Sequence, residues 1–245
     1  GITVFSAPFD HTAVELLVSL QAPAYKIASF EAIDLPLIEA VSATGKPVIV
    51  STGMASLVEI SEAVEAARGA GCENLALLHC VSSYPTPPGE SNLKTMADLS
   101  VRFGVVVGLS DHTMGIDVPV AAVALGAALI EKHFTLSRAD GGPDSAFSLE
   151  PDELRELTAS CANAWRAMGR VTYERTPSER TSAIFRRSIY VVEDIAKGDV
   201  FTEQNVRSIR PGLGASPKHL PRVIGRRASR DIGRGTPFEL TMIED

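Results

Sequence analysis

The sequence has few cysteines and few aromatic residues, and it contains no long hydrophobic run. Its three cysteines, Cys72, Cys80 and Cys161, form no C-x-x-C pair, which argues against a disulfide framework and favours reduced thiols. The longest nearly apolar run, from Val118 to Ile130, is too short to span a bilayer. The first residues lack the basic segment and cleavage signal of a secretory peptide. We therefore expect a cytoplasmic protein with no membrane segment.

Basic stretches interleaved with aromatic residues are also missing, so nucleic acid is not an expected partner. The net charge is −7. It is unevenly spread, because residues 1–183 carry 12 Lys/Arg against 22 Asp/Glu, whereas residues 184–245 carry 11 against 8. The asymmetry has two interpretations: chance variation between two surfaces, or a basic lobe that docks on an acidic one or attracts an anionic substrate.

What the sequence does contain is a regular alternation of short β-branched runs and longer amphipathic stretches. The runs recur roughly every 20 to 30 residues, the spacing of repeated βα units. They are Thr3–Ser6, Tyr25–Ala28, Pro47–Val50, Leu75–Cys80, Val105–Leu109 and Leu129–Phe134. Near-continuous apolar strands imply a parallel sheet covered by helices on both faces. Two architectures fit: an open six-stranded sheet, or a (β/α)₈ barrel that lacks its first two βα units in this chain.

The last third of the chain changes character. A predicted helix around Asp152–Ala167 is followed by a polar stretch that indicates a linker. Beyond it, a strand at Ser188–Val192 and three glycine-containing turns predict a small β-rich module. We expect a barrel domain at residues 1–174, a linker at 175–183 and a β-rich domain at 184–245.

Hydroxyl side chains follow successive predicted strands. The functional face of a parallel barrel lies at the carboxyl ends of its strands. The serines at five successive strand ends are Ser6, Ser29, Ser51, Ser82 and Ser110. One such serine is often only a turn residue or a helix cap, but five in register favour a carboxylate or phosphate site. Lys26, inside an apolar strand, points the same way because a buried lysine needs an anionic partner.

Two histidines lie at the ends of consecutive predicted strands. His112 follows Gly108–Asp111, and His133 follows Glu131 and Lys132. Neighbouring strands lie ~4.8 Å apart, so imidazoles at equivalent heights can share one divalent metal. Core histidines are common, so the pair alone is a weak metal signal, and its register beside the expected anion site strengthens it. We interpret His79, His11 and His219 as structural.

Several strings in order along nearly the whole chain resemble the nonulosonic (sialic) acid synthases. They are residues 51–55 (STGMA), 79–85 (HCVSSYP), 108–113 (GLSDHT) and 131–136 (EKHFTL), with 185–188 (FRRS) and 208–212 (SIRPG) near the C-terminus. Residues 26–31 (KIASFE) and 142–151 (GPDSAFSLEP) are most similar to the pseudaminic acid branch. The resemblance implies a TIM-type (β/α)₈ barrel followed by an antifreeze-like (SAF) domain.

The resemblance also implies a reaction and roles for residues. The family condenses phosphoenolpyruvate with an amino-sugar aldehyde: C3 attacks the aldehyde, water adds at C2 and phosphate leaves. His112 and His133 match the ligands of Mn²⁺ or Mg²⁺, and Tyr84 and Asp144 match residues near the sugar. Arg210 matches an arginine that a partner subunit inserts over the site, which implies a domain-swapped homodimer. The positions that match phosphoenolpyruvate ligands are Lys26, Ser29, Ser51, Ser82 and Ser110.

Two departures from the family pattern keep alternatives open. Ala7 stands where the family commonly has a hydroxyl, and two family strands that carry a catalytic glutamate have no counterpart here. The sugar expected from the pseudaminic acid branch is a 2,4-diacetamido-2,4,6-trideoxy hexose. The alternatives are the N-acetylneuraminate branch, which uses N-acetylmannosamine, and an inactive, N-terminally truncated sugar-binding remnant.

Overall fold

The computed structural model describes residues 1–244, which form two units, residues 1–170 and residues 171–244. The first unit is built on one parallel sheet with the strand order β1-β2-β3-β4-β5. Its strands are β1 (Tyr25–Ile27), β2 (Val48–Ser51), β3 (Leu75–Cys80), β4 (Val106–Asp111) and β5 (Leu129–Lys132). Every strand lies beside its neighbour in sequence, so the sheet is a half-barrel that places all carboxyl ends at one edge.

Helices connect and cover these strands. They are α1 (His11–Ser19), α2 (Leu35–Ser42), α3 (Leu57–Gly69), α4 (Thr95–Phe103), α5 (Asp117–Ala124) and α6 (Pro151–Met168). Helix α3 shows why the sequence folds this way. Ser56 and Glu59 form a reciprocal capping box at its start, and Ile60, Val64 and Ala67 bury one face against the sheet.

The apolar core of this unit lies between the sheet and its helices. All six residues of β3 are buried, as expected for the central strand of a sheet covered on both faces. Gly108 in β4 allows the neighbouring strand to approach closely, because a Cβ there would collide with the Leu129 carbonyl oxygen and would lie 2.7 Å from Leu78 Cδ2. Strands β4 and β5 are therefore held in close register just below the predicted site.

The structure corrects three strand predictions. Thr3–Ser6 forms no strand, because only Ser6 bridges to Tyr25 while Ile2 and Val4 are exposed. Ser110 does not follow β4 but lies inside it, since the ladder with β5 continues to Asp111. The last strand ends at Lys132 rather than Phe134, which makes only an isolated bridge to Leu149.

The second unit is small and rich in turns. Its regular elements are the antiparallel pair β6 (Ser188–Val191) and β7 (Val206–Ile209) and the short helix α7 (Leu220–Val223). Isolated bridges and turns join the rest around a separate core that contains Phe201 and Phe238, whose rings meet edge to face at 5.1 Å. Each unit therefore has its own hydrophobic core.

A buried hydroxyl fixes one loop of this unit. Ser188 Oγ donates to the Pro211 carbonyl at 2.7 Å and accepts from Gly214 N at 2.9 Å. The loop that follows β7 is thereby pinned to the first residue of β6. Within residues 1–244, no helix is both long and apolar enough to cross a bilayer.

Candidate active site

The ends of β4 and β5 enclose a polar cavity of about 200 Å³. Its lining consists of Ser110, His112, Glu131, Lys132 and His133. Asp111 and Lys132 are the last paired residues of the two strands, and the two histidines follow directly. The sequence prediction that His112 and His133 stand at equivalent heights agrees with this register.

The two imidazoles lie side by side, with ring centroids 5.2 Å apart. His112 Nδ1 lies 2.9 Å from the Val81 carbonyl oxygen. A carbonyl can only accept, so Nδ1 carries a proton, and in the neutral imidazole Nε2 keeps its lone pair. A backbone partner on one ring nitrogen is the usual way in which a protein orients a histidine whose other nitrogen binds a metal.

Aromatic contacts and a carboxylate complete this cluster. The Tyr84 ring lies 4.2 Å from His112 and 5.9 Å from His133, measured between centroids. The Phe147 ring also contacts His133, with the two ring centroids 5.0 Å apart. Asp144 Oδ2 is 3.5 Å from His133 Nδ1. The structure therefore brings Tyr84, Asp144 and both histidines together, four residues that the sequence singled out.

A second polar group lies beside the histidines and contains Lys26. Lys26 is buried, and its Nζ is 3.4 Å from Glu131 Oε1. Ser110 Oγ donates to the same carboxylate oxygen at 2.7 Å. The anionic partner expected for Lys26 is thus present within the protein as Glu131. Two residues predicted to bind an anion, Lys26 and Ser110, converge on one point.

Ser29 and Ser82 converge on the backbone of Gly53. Gly53 N donates to Ser29 Oγ at 3.1 Å. A Cβ on Gly53 would lie 2.7 Å from Ser29 Oγ and would collide with Ser82 Oγ, so the glycine leaves space between two hydroxyls. Ser51, the last residue of β2, is buried, and its hydroxyl has no hydrogen-bond partner among residues 1–244. A buried hydroxyl without a partner is uncommon and is often found at functional sites.

Burial and neighbouring groups change the acidity of the cluster. Burial lowers the pKa of His133, and nearby His112 lowers it further, which favours the neutral imidazole that can ligate a metal. Burial also acts to lower the pKa of His112, but its contacts with Cys80 and the Val81 carbonyl outweigh this and raise it. Burial raises the pKa of Tyr84, so its hydroxyl stays protonated and can donate.

The residues present fit part of a divalent metal site. His112 has a free Nε2, and His133 is 3.5 Å from the Asp144 carboxylate, which can orient its ring. Within residues 1–244, His, Cys, Asp and Glu side chains form no cluster of three or more with metal-site geometry. Two histidines would leave the remaining coordination positions of a metal to water or substrate.

Arg210 belongs to the second unit. It follows β7, is exposed, and stands at the start of the loop that Ser188 pins. The role that the resemblance implies for Arg210 remains a prediction, as do the roles of the other site residues.

Sequence reasoning missed Glu131, Asp111 and Lys132. Glu131 faces Lys26 and Ser110, and Lys132 Nζ lies 2.5 Å from Asp111 Oδ2. A signal was available for Asp111 and Lys132, because charged residues at the ends of two largely apolar strands are expensive to bury without partners. Which of them pair depends on strand register, and the sequence does not specify it.

A parallel half-barrel with a polar cavity at its strand ends, joined to a separate small β unit, defines a barrel-type enzyme with an appended domain. The chain belongs to the NeuB family: residues 1–173 match that family, and residues 186–244 match the SAF domain. The expected family and fold class are confirmed.

Three relatives place the chain within this family. The pseudaminic acid synthase of Helicobacter pylori is 40% identical over 242 residues, which cover 98% of this chain and 71% of that protein. The N,N'-diacetyllegionaminic acid synthase of Campylobacter jejuni is 42% identical over 234 residues, covering 94% and 70%. The crystal structure of the spore coat polysaccharide biosynthesis protein SpsE from Bacillus subtilis has a TM-score of 0.66 and 34% identity, covering 100% of this chain and 74% of that one. Two synthases with different products are about equally similar, so identity does not separate the branches.

Proposed function

We propose that this chain is a nonulosonic acid synthase that condenses phosphoenolpyruvate with a 2,4-diacetamido-2,4,6-trideoxy hexose, as the pseudaminic acid branch does. The observation that carries the proposal is the arrangement at one sheet edge. His112, His133, Tyr84 and Asp144 form one cluster, and Lys26 and Ser110 converge beside it on Glu131. An anion site suits phosphoenolpyruvate, and an adjacent pair of histidines that could bind a metal suits the aldehyde of the sugar.

The anion site would hold the phosphoenolpyruvate. Lys26 supplies a buried ammonium, and serine hydroxyls lie at or just after the ends of β1 to β4. Charge-assisted hydrogen bonds to carboxylate or phosphate oxygens are stronger than neutral ones, so Lys26 is the main determinant of binding. Ser29, Ser51, Ser82 and Ser110 would donate the remaining hydrogen bonds.

The histidine cluster would receive the sugar. A divalent metal, Mn²⁺ or Mg²⁺, bound by Nε2 of His112 and by His133 would polarise the aldehyde oxygen. The Asp144 carboxylate lies 3.5 Å from His133 Nδ1 and would orient that ring. The Tyr84 ring packs against His112 at a tilt, and its protonated hydroxyl would donate a hydrogen bond to the sugar. Phe147 packs against His133 in an edge-to-face contact, with the ring centroids 5.0 Å apart.

A second candidate is another branch of the same family. It is a candidate because a diacetyllegionaminic acid synthase, at 42% identity, is about as similar to this chain as the pseudaminic acid synthase named above, at 40%. The N-acetylneuraminate branch shares the chemistry on a different hexose. The strings at residues 26–31 and 142–151 favour the pseudaminic acid branch.

The test is phosphate release from phosphoenolpyruvate with each candidate hexose and Mn²⁺. We expect turnover with the 2,4-diacetamido-2,4,6-trideoxy hexose and little with N-acetylmannosamine. The reverse preference would assign the N-acetylneuraminate branch. Sugar binding without phosphate release from any hexose would identify a sugar-binding protein that does not catalyse the reaction. The domain-swapped dimer and the cytoplasmic location remain predictions.

A further inference from the structure

A buried ion pair lies directly beside the two histidines. Asp111 and Lys132 are opposite each other at the end of the β4–β5 ladder, and Lys132 Nζ lies 2.5 Å from Asp111 Oδ2. The side chains are 2% and 3% exposed. Neither residue has a role in the function proposed above, so the presence of two charges in the interior calls for an explanation.

Hydrogen bonds tie this pair to Thr113, the residue directly after His112. Asp111 Oδ1 accepts from Thr113 N at 3.0 Å, and Asp111 Oδ2 accepts from Thr113 Oγ1 at 3.0 Å. Lys132 Nζ also donates to the Thr113 carbonyl at 2.5 Å. The network thus holds the residue before His112, the residue after it, and the residue before His133.

The pair closes the ladder between β4 and β5. Strand β5 pairs only with β4 among residues 1–244, and Asp111–Lys132 is the last pair of that ladder. Beyond it, the His133 carbonyl accepts one hydrogen bond, from Leu149 N. The spacing of the two histidines therefore depends on the Asp111–Lys132 ion pair, whose hydrogen bonds are directional.

Stability alone does not account for such a pair. Replacing a buried ion pair by apolar residues is often neutral or stabilising, whereas removing one partner is strongly destabilising. A directional pair does fix one register and one separation, which apolar contacts do not. We propose that Asp111 and Lys132 are positioning residues that set the distance between His112 and His133 for joint binding of a divalent cation. This inference rests on the metal site proposed above.

The test separates positioning from stability. In the double variant Asp111→Asn/Lys132→Met both charges are gone, while the Asn carbonyl can still accept from Thr113 N. We expect its thermal stability to recover most of what Lys132→Met alone loses. Its affinity for Mn²⁺, measured on the full chain by the paramagnetic resonance of free Mn²⁺, should still fall about 10- to 100-fold, the usual effect of removing groups that orient metal ligands.

The control is the exposed pair on α4, Asp98→Asn/Arg102→Met, which should leave Mn²⁺ affinity unchanged. Wild-type affinity in a stable Asp111→Asn/Lys132→Met chain would overturn the inference and leave the metal site standing. A wild-type chain that does not bind Mn²⁺ would overturn both.

If the double variant does not fold, Thr113→Val takes its place. It keeps the ion pair and removes one hydrogen bond to Asp111. Affinity for Mn²⁺ should then fall about tenfold, the effect expected for loss of one hydrogen bond to a charged group. Unchanged affinity in Thr113→Val would count against positioning as directly as in the double variant.

Discussion

Individual side chains at the strand ends divide into two groups with separable roles. His112 and His133 form the group that suits a metal and an aldehyde, and Lys26 and Ser110 form the group that suits an anion. Glu131 belongs to the second group, where it pairs with Lys26. Substitutions in the two groups should therefore affect different kinetic constants.

Replacing either histidine, as His112→Ala or His133→Ala, should abolish metal-dependent turnover with little change in thermal stability. Strand-end residues of a barrel contribute to function more than to the core, and loss of a metal-polarised carbonyl costs several kcal/mol. Phosphate release and thermal unfolding measured on the same samples check this. Activity above roughly a tenth of wild type in either variant would contradict the assignment.

Lys26→Met should raise the KM for phosphoenolpyruvate far more than the KM for the hexose. The buried ammonium is matched to a multiply charged anion and not to a neutral sugar. Steady-state kinetics with each substrate varied in turn measures the two effects. A matched rise in both constants would show that Lys26 supports the fold and does not bind the anion.

At the scale of strands and turns, Gly108 and Gly53 both occupy positions where a Cβ would clash, but with different groups. Gly108 sits where a Cβ would strike the backbone of β5, and Gly53 sits where a Cβ would strike two serine hydroxyls. A backbone carbonyl cannot move without shifting its strand, whereas a hydroxyl can rotate away. The two positions therefore form a matched pair for substitution by alanine.

Gly108→Ala should cost stability, of the order of the 1–3 kcal/mol typical of overpacking. Gly53→Ala should leave stability near wild type while raising the KM for phosphoenolpyruvate, because Ser29 and Ser82 must turn from their shared point. Denaturant unfolding and steady-state kinetics on both variants provide the comparison. An unstable Gly53→Ala with normal kinetics would show that this turn serves the core.

The strands were largely predictable from the sequence, whereas the contacts between their side chains were not. The positions of β1 to β5 were predicted to within two residues, because near-continuous apolar runs are a strong signal for buried parallel strands. The strand predicted at Thr3–Ser6 was wrong. That segment has the composition of a buried strand but pairs with the sheet only at Ser6. The Lys26–Glu131 and Asp111–Lys132 pairs were missed because a one-residue change in register would pair different side chains.

For the chain as a whole, the prediction that remains is the action of the basic C-terminal module on the barrel of a neighbouring subunit. Residues 184–245 have an excess of three positive charges, and residues 1–183 an excess of ten negative charges. A module of about 60 residues is marginally stable alone, so docking on a partner would stabilise it. Arg210 decides whether the docking partner is a second chain.

Mixing an Arg210→Ala chain with a His112→Ala/His133→Ala chain should restore part of the activity. If Arg210 reaches across, one site of each mixed dimer contains both histidines and the arginine. Phosphate release after subunit exchange measures this, with each variant alone as the control. No recovery in a mixture shown to exchange would place Arg210 over its own barrel or outside the site.

The central strand β3 is buried throughout and has neighbours on both sides, whereas β5 pairs only with β4 among the described residues. Amide hydrogens of β3 should exchange with solvent slowly, and those of β5 sooner, since opening starts where a strand is held on one side. His112 follows β4, which pairs with both β3 and β5, whereas His133 follows β5, which is held on one side. A ligand bound by both imidazoles would link the end of β5 to the end of β4. Its binding should therefore slow amide exchange along β5 more than along β3.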